Sequence, residues 1–319
     1  MTKAGAVVIG LDLGGSTVRA VVTGPGGVRH RAAVRHTARG YPALLALLDQ
    51  VVTQCQQATG PRPAQAVGLA VAGWLSADRE QLITAANLGV AGVPLRRDLE
   101  QRLGLPVTVD NDGNAAALAE ARAGSGQQAR MLVMLTLGTG VGGGIVTSDR
   151  LLTGAAGLAG ELGHLPSISN GPSCPCGGRG CLEVYASGPA VARAAARAGL
   201  AGPGGGSPTA EDVVAAARGG APGAVQALAA AGEAVGRAVA RLVPVLNPDL
   251  VLLGGGLAAG ATDLVLIPAR RTLAEATPLS NVVAAPPVRL GTCGADAGAL
   301  GASYLPDLNG SRTPAGAAL

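Results

Sequence analysis

The chain has no phenylalanine and a single lysine, Lys3. Trp74, Tyr41, Tyr185 and Tyr304 are its only aromatic residues. Proteins that grip single-stranded nucleic acid stack successive bases on several rings, and so few dispersed rings supply no such platform. The shortage of lysine excludes a P-loop, a Schiff base and a protein-kinase-type lysine. A bound nucleotide must then be held by backbone amides, hydroxyls, arginine and metal. The other basic residues are arginines, scattered without a basic run, so the net charge of +4 leaves no nucleic-acid footprint. Long apolar runs are missing too: nothing reaches the ~18 consecutive apolar residues of a membrane span. Met1–Gly10 lacks the apolar core and cleavage site of a signal peptide.

What is present is globular. Hydrophobic residues make up 48% of the chain and charged residues 14%, enough to bury a large core, and 319 residues fit two domains. Five cysteines, an odd number in a chain without an export signal, point to thiols or metal ligands rather than disulfides. The expected compartment is the cytoplasm.

Ala6–Leu13 and Val18–Thr23 read as strands joined by a glycine turn at Gly14–Thr17. Helical apolar spacing covers Tyr41–Gln57, a strand Gln65–Val71, and a short helix Pro94–Leu103. Val107–Val109 leads through Asp110-Asn111-Asp112-Gly113-Asn114 into an alanine-rich helix, Ala115–Ala123. The hairpin pattern then recurs as strand Met131–Leu137, turn Gly138–Gly143 and return strand Gly144–Thr147, which implies a duplicated fold. A Gly/Pro loop over Ala201–Pro208, a helix Ala224–Leu242, a strand Leu250–Leu253 and a loop Gly254-Gly255-Gly256 follow, and the tail after Leu308 is expected to fray.

Gly138-Thr139-Gly140-Val141-Gly142-Gly143 matches G-x-G-x-x-G, yet a strand rather than a helix follows it, so the dinucleotide-binding reading fails. Glycine-rich turns let backbone N–H groups approach an anion closely. Gly14–Thr17 and Gly138–Gly143 are therefore either two polyphosphate loops or two plain hairpin turns. Asp12, at the mouth of the first, suits a hydrated Mg²⁺. Asp112, between a buried strand and a helix, is placed either to cap that helix or to accept a substrate proton as a general base. Asp110, Asp112 and Asn114 compete for the cap, more candidates than one helix end needs.

His164, Cys174, Cys176 and Cys181 are spaced H-x9-C-x-C-x4-C, one imidazole and three thiols, the donor set of a closed structural Zn²⁺ site. Gly177, Gly178 and Gly180 let the chain bend around the ion, and Glu161 and Glu183 flank it. Two carboxylates there suit the hydroxyls of a sugar.

Gly-Glu-Leu-Gly-His at 160–164, followed by Cys174-Pro175-Cys176-Gly177-Gly178-Arg179-Gly180-Cys181-Leu182-Glu183, resembles the signature of the ROK family of repressors, uncharacterised frames and sugar kinases. The likeness runs from Leu11-Asp12-Leu13-Gly14-Gly15 through Asn111-Asp112 and the second glycine loop to Gly254-Gly255-Gly256. It implies an α/β actin-like ATPase fold, two RNase H-like domains with a cleft between them. The expected halves are 1–112, joined by 297–319, and 113–296 carrying the zinc loop. It also implies ATP-dependent phosphorylation of a hexose, usually at the 6-hydroxyl. On the matching positions, Asp112 is similar to the catalytic base, and Asn87, Asn111, Asp112, Glu161, His164 and Glu183 to the sugar site. Asp12, Gly14, Gly15, Ser16, Thr139, Gly140 and Gly255 are similar to the ATP–Mg²⁺ side. His164 serves twice in this reading, one ring nitrogen on zinc and the other toward sugar.

Two departures stand out. The family's Gly-Gly-Thr-Lys is here Gly14-Gly15-Ser16-Thr17, and the stretch Ala86-Asn87-Leu88-Gly89-Val90 lacks the frequent Pro-Asn and aromatic residue. The expected substrate is glucose or a related hexose, with an amino or N-acyl hexosamine as the alternative. A homodimer is a family-level expectation. A repressor is disfavoured, because its helix-turn-helix would precede a strand that begins here near Ala6, and because Asp112 and both glycine loops are intact.

Overall fold

β-branched and leucine residues dominate β1 (Val8–Leu13) and β2 (Thr17–Gly24), and the two pair antiparallel across the first glycine turn. The structure is a computed structural model describing residues 5–278 and 280–309. The frayed tail expected after Leu308 lies outside the described residues from 310 onward.

The chain divides into two units. One comprises residues up to Glu120, Thr153–Ala159 and Asp296 onward; the other comprises Ala121–Leu152 and Gly160–Ala295. In the first, β3 (Gly27–Arg35) extends the hairpin, then come α1 (Tyr41–Ala58) and β4 (Ala66–Val71). A small antiparallel sheet of β5 (Trp74–Leu75), β6 (Leu82–Ala85) and β7 (Val90–Val93) follows, then α2 (Leu95–Leu103), β8 (Val107–Asn111) and α3 (Asp112–Ala123). The main sheet runs β3-β2-β1-β4-β8, with β1, β4 and β8 parallel. Leu44, Leu48, Val51 and Val52 of α1 are buried in the core with Ile9, Leu11 and Leu69.

The second unit repeats this plan. It holds β9 (Met131–Leu137), β10 (Val141–Thr147), β11 (Arg150–Leu151), α4 (Glu183–Ala186), α5 (Gly188–Arg197), α6 (Ala210–Arg218) and α7 (Pro222–Leu246). β12 (Leu250–Gly254), α8 (Gly255–Ala261), α9 (Asp263–Ala276) and β13 (Val288–Leu290) complete it, and α10 (Ala297–Asn309) returns to the first unit, against β1 and β4. Its sheet order is β11-β10-β9-β12-β13, with β9, β12 and β13 parallel. Each sheet is an antiparallel three-strand meander continued by two parallel strands. The duplication expected from the recurring strand–glycine–strand pattern is a duplicated topology.

Several expected boundaries move: the helix expected over Ala224–Leu242 runs Pro222–Leu246, the strand expected over Val107–Val109 runs on to Asn111, and three shifts touch the loops of interest. β10 begins at Val141 rather than Gly144, because Leu162 packs where a side chain on Gly143 would lie. The expected loop at Gly254–Gly256 is the junction of β12 and α8. Finally, α3 starts at Asp112 rather than Ala115, since an upstream residue takes the cap.

Candidate active site

In α/β sheets ligands gather beyond the carboxyl ends of parallel strands. In the first unit those ends are Leu13, Val71 and Asn111, aligned in register on β1, β4 and β8. The first glycine turn leaves β1 there and closes with Gly14 N–H donating to Thr17 C=O at 3.0 Å. His36 Nε2 lies 3.0 Å from the Gly14 carbonyl, and Arg39 Nη1 donates to the Gly15 carbonyl at 3.2 Å. Ser16 is exposed at the tip. A Cβ on Gly15 would stand 3.6 Å from Asn87 Cβ, so the turn and the exposed Asn87 are neighbours.

None of the three expected candidates, Asp110, Asp112 and Asn114, caps α3; the cap falls to Asn111, whose amide oxygen reaches the first-turn N–H groups. Asn111 Oδ1 accepts the Gly113 N–H at 2.8 Å and the Asn114 N–H at 3.4 Å, which makes Asn111 the N-cap of α3. Its Nδ2 donates to the Gly73 carbonyl at 3.3 Å, so both ends of the amide are engaged. Asp110 is buried and accepts from the Asn111 N–H at 2.7 Å and from Asn114 Nδ2 at 2.9 Å. Buried Arg79 faces it at 3.2 Å, an ion pair of the kind whose half-removal costs about 3–5 kcal/mol. Sequence reasoning missed Arg79, His36 and Arg39 because their partners are distant in the chain.

Asp112 is thereby left with its own first-turn amide as a partner: Oδ1 accepts the Gly113 N–H at 2.9 Å. Burial lifts its carboxyl above the usual carboxylate range, against that N–H. Asp12 is a close neighbour. Burial, then the charge of Asp112, pushes Asp12 up to about 7, with Arg19 opposing and Asp296 adding. Two desolvated carboxylates beside a glycine turn, one of them raising the proton affinity of the other, form a donor set that a divalent cation relieves.

In the second unit the other glycine turn joins β9 and β10. Gly138 N–H donates to Gly140 C=O at 2.9 Å, and Thr139 is exposed at its tip. Glu183, at the start of α4, bends back so that Oε2 accepts the Val141 N–H at 3.0 Å. A Cβ on Gly140 would lie 2.8 Å from that oxygen, so a side chain there would displace the Glu183 carboxylate from its present place. Gly255 has φ +84°, and a side chain on it would strike the Leu137 carbonyl, so the β12–α8 junction abuts the same turn. The turn Leu162–His164 packs on β10.

His164, Cys174, Cys176 and Cys181 converge, their ligand atoms all within 4.8 Å of one another. His164 Nδ1 is 3.8 Å from Cys174 Sγ, and Cys176 Sγ is 3.6 Å from Cys181 Sγ. Tetrahedral zinc, with Zn–S of about 2.3 Å and Zn–N of about 2.0 Å, sets its ligand atoms roughly 3.6–3.8 Å apart. The residues therefore fit the ion. The Gly178 N–H at 3.4 Å lowers the pKa of the exposed Cys176 thiol. His164 Nε2 faces the other way, 4.0 Å from Glu161 Oε2.

Within the first unit the structure thus groups Asp12 with Asp112, and Gly15 with Asn87; within the second it groups Gly140 with Glu183, Gly255 with the second turn, and Glu161 with the zinc ligand His164.

Known proteins resemble the chain over most of its length. A Streptomyces coelicolor glucokinase is 33% identical over 318 residues, covering 93% of this chain and 96% of its own. An N-acetylmannosamine kinase of Citrobacter koseri is 39% identical over 196 residues, covering 61% of this chain and 66% of its own. The crystal structure of a ROK family glucokinase from Streptomyces griseus in complex with glucose and AMPPNP superposes with a TM-score of 0.82 at 32% identity, covering 94% of this chain and 99% of that one. Residues 8–307 match the ROK family, and the chain, with its duplicated actin-like ATPase fold, belongs to that family.

Proposed function

We propose that the chain is an ATP-dependent kinase that phosphorylates the 6-hydroxyl of glucose or a related hexose, with Asp112 as general base. One observation carries this reading. Asn111 takes the helix cap, so Asp112 is presented at the carboxyl end of β8 with a raised proton affinity beside Asp12 and the first glycine turn. A carboxylate of raised proton affinity is a stronger base toward a hydroxyl than one at the ordinary value.

Asp112 accepts the proton of the sugar hydroxyl as that oxygen attacks the γ-phosphoryl group, and ADP leaves. Asn87, Glu161 and Glu183 orient the sugar, and His164 Nε2 points to the Glu161 side of that group. The backbone amides of Gly14–Ser16 and Thr139–Gly140 hold the phosphates, with Gly255 beside the second turn. Asp12 would hold Mg²⁺, which supplies charge neutralisation for the transferring phosphoryl oxygens. Zinc on His164 Nδ1, Cys174, Cys176 and Cys181 would fix the tautomer that leaves Nε2 for hydrogen bonding. The domain division that accompanies this reading puts the base in the first unit and the zinc loop in the second.

The second reading, a hexosamine kinase, is favoured by the Citrobacter koseri relative. An ATPase-coupled assay over glucose, mannose, fructose, glucosamine, kanosamine, N-acetylglucosamine and N-acetylmannosamine tests both. Turnover highest with glucose supports the first reading; turnover confined to amino sugars supports the second; none with any sugar removes both. Among the described residues no helix is long and apolar enough to cross a membrane.

A further inference from the structure

Arg79 occupies the turn between β5 and β6, with φ +63° and only 4% of its surface exposed. A buried arginine in a left-handed turn combines two unfavourable features, and such positions persist where surrounding contacts dictate them. Those contacts are specific. Nη2 faces Asp110 Oδ1 at 3.2 Å, while Nη1 donates to the Gly157 carbonyl at 3.0 Å and approaches the Ser76 carbonyl at 3.4 Å. Nε and Nη2 are buried without an aligned hydrogen bond, so charge rather than hydrogen bonding holds Nη2 to Asp110.

Each contact reaches a different part of the sugar-side machinery. Asp110 Oδ1 also holds the Asn111 N–H and the Asn114 side chain, the frame from which Asp112 projects. Gly157 lies in Thr153–Ala159, the excursion that belongs to the first unit and leads in sequence to Glu161. We propose that Arg79 is a positioning residue of the phosphoryl-transfer site, one guanidinium fixing both the backbone behind Asp112 and the strand of chain that delivers Glu161. The inference rests on the kinase reading above.

Two geometric consequences follow. Lysine keeps the charge but offers a point donor in place of a planar fork, so it cannot hold Asp110 and Gly157 together. The contacts of Arg79 given above go to Ser76, Asp110 and Gly157, none of them a residue assigned to the nucleotide, so nucleotide affinity is expected to be unaffected.

The test compares wild type, Arg79→Lys and the double variant Arg79→Met/Asp110→Asn. The double variant removes both buried charges together, so it folds where a single deletion leaves Asp110 unpaired. Steady-state kinetics are measured well below the melting transition of each protein, with folding checked by circular dichroism. Both variants are expected to lose tenfold or more in kcat and to raise the sugar KM severalfold, with the ATP KM within twofold of wild type. Folded variants with kcat and sugar KM within twofold of wild type would overturn the proposal. So would sugar and ATP parameters falling together in proportion to the folded fraction, the mark of a merely structural residue. A wild-type protein that phosphorylates none of the sugars above defeats the kinase reading and this inference with it, whereas an active wild type with unimpaired variants defeats Arg79 alone.

Discussion

Glu183 Oε2 accepts a hydrogen bond of 3.0 Å from the backbone N–H of Val141, tying a carboxylate expected at the sugar to the glycine turn expected at the phosphates. Groups expected on the nucleotide side and on the sugar side are therefore in direct contact within the second unit. Gly140→Val would place a branched side chain where Glu183 now stands, beyond blocking the approach of phosphate to the backbone. The expected outcome is a rise in the KM for sugar as well as for ATP. Calorimetry with each ligand separately checks this, and unchanged affinity for both would remove the turn from the site.

Asp112→Asn is expected to keep the fold, because Asn111 rather than Asp112 caps α3. Turnover should fall by about 10²–10⁴-fold, the usual contribution of a general base, while sugar affinity changes far less. Removing a desolvated carboxyl should leave the melting temperature level or raise it. Near wild-type turnover in this variant would show that the proton goes elsewhere.

The proton affinity of Asp12 sets a pH dependence. Its pKa is raised from 3.8 to about 7 by burial and by Asp112, so in that interval the folded state binds a proton that the unfolded state has released. Stability from this group is complete below the unfolded value and is lost as pH rises through the folded one. The ligand-free protein should accordingly lose melting temperature between about pH 4 and about pH 7, the window bounded by those two values. Asp12→Asn should flatten that slope while weakening Mg²⁺–ATP binding. Melting curves of both proteins at the two ends decide it; parallel slopes would mean that Asp12 is ionised throughout.

Zinc should be present at one equivalent per chain. Its four ligands lie between His164 and Cys181, so the ion organises a local loop and chelation should preserve most secondary structure. Activity should still collapse, because His164 and its neighbour Glu161 lose their common anchor. Cys176→Ser should raise the apparent KM for sugar far more than that for ATP. Metal analysis and circular dichroism of the chelated protein, with kinetics, form the check; full activity without metal would reduce the cluster to inert thiols.

The strongly periodic segments were legible in the residues alone. Short apolar runs marked β1, β4, β9 and β12, and the helical spacing of Leu44, Leu48, Val51 and Val52 marked α1, because in these elements one face or both is buried against a core. The zinc loop was legible for a different reason: three thiols and an imidazole within one short segment need no tertiary structure to be brought near one another. Helices α5, α6, α9 and α10 were not legible there: in α5 and α6 alanine stands on both faces, buried at Ala192, Ala195 and Ala217 and exposed at Ala196 and Ala215, so a pattern of large apolar residues does not mark them. Alternating β3 reads as a polar surface stretch until β2 is placed beside it.

Tertiary structure alone decided which residue of Asp110-Asn111-Asp112-Gly113-Asn114 does what. In sequence Asp110, Asp112 and Asn114 compete for one helix end; in space buried Arg79 pairs with Asp110, Asn111 takes the cap instead, and Asp112 is left free of it for the proposed role as base. That choice depends on a cation 31 positions upstream of Asp110 (110 − 79), set in a turn that no local pattern marks. The residue types at the site follow from the chain, whereas their division of labour follows from which charges the fold buries together.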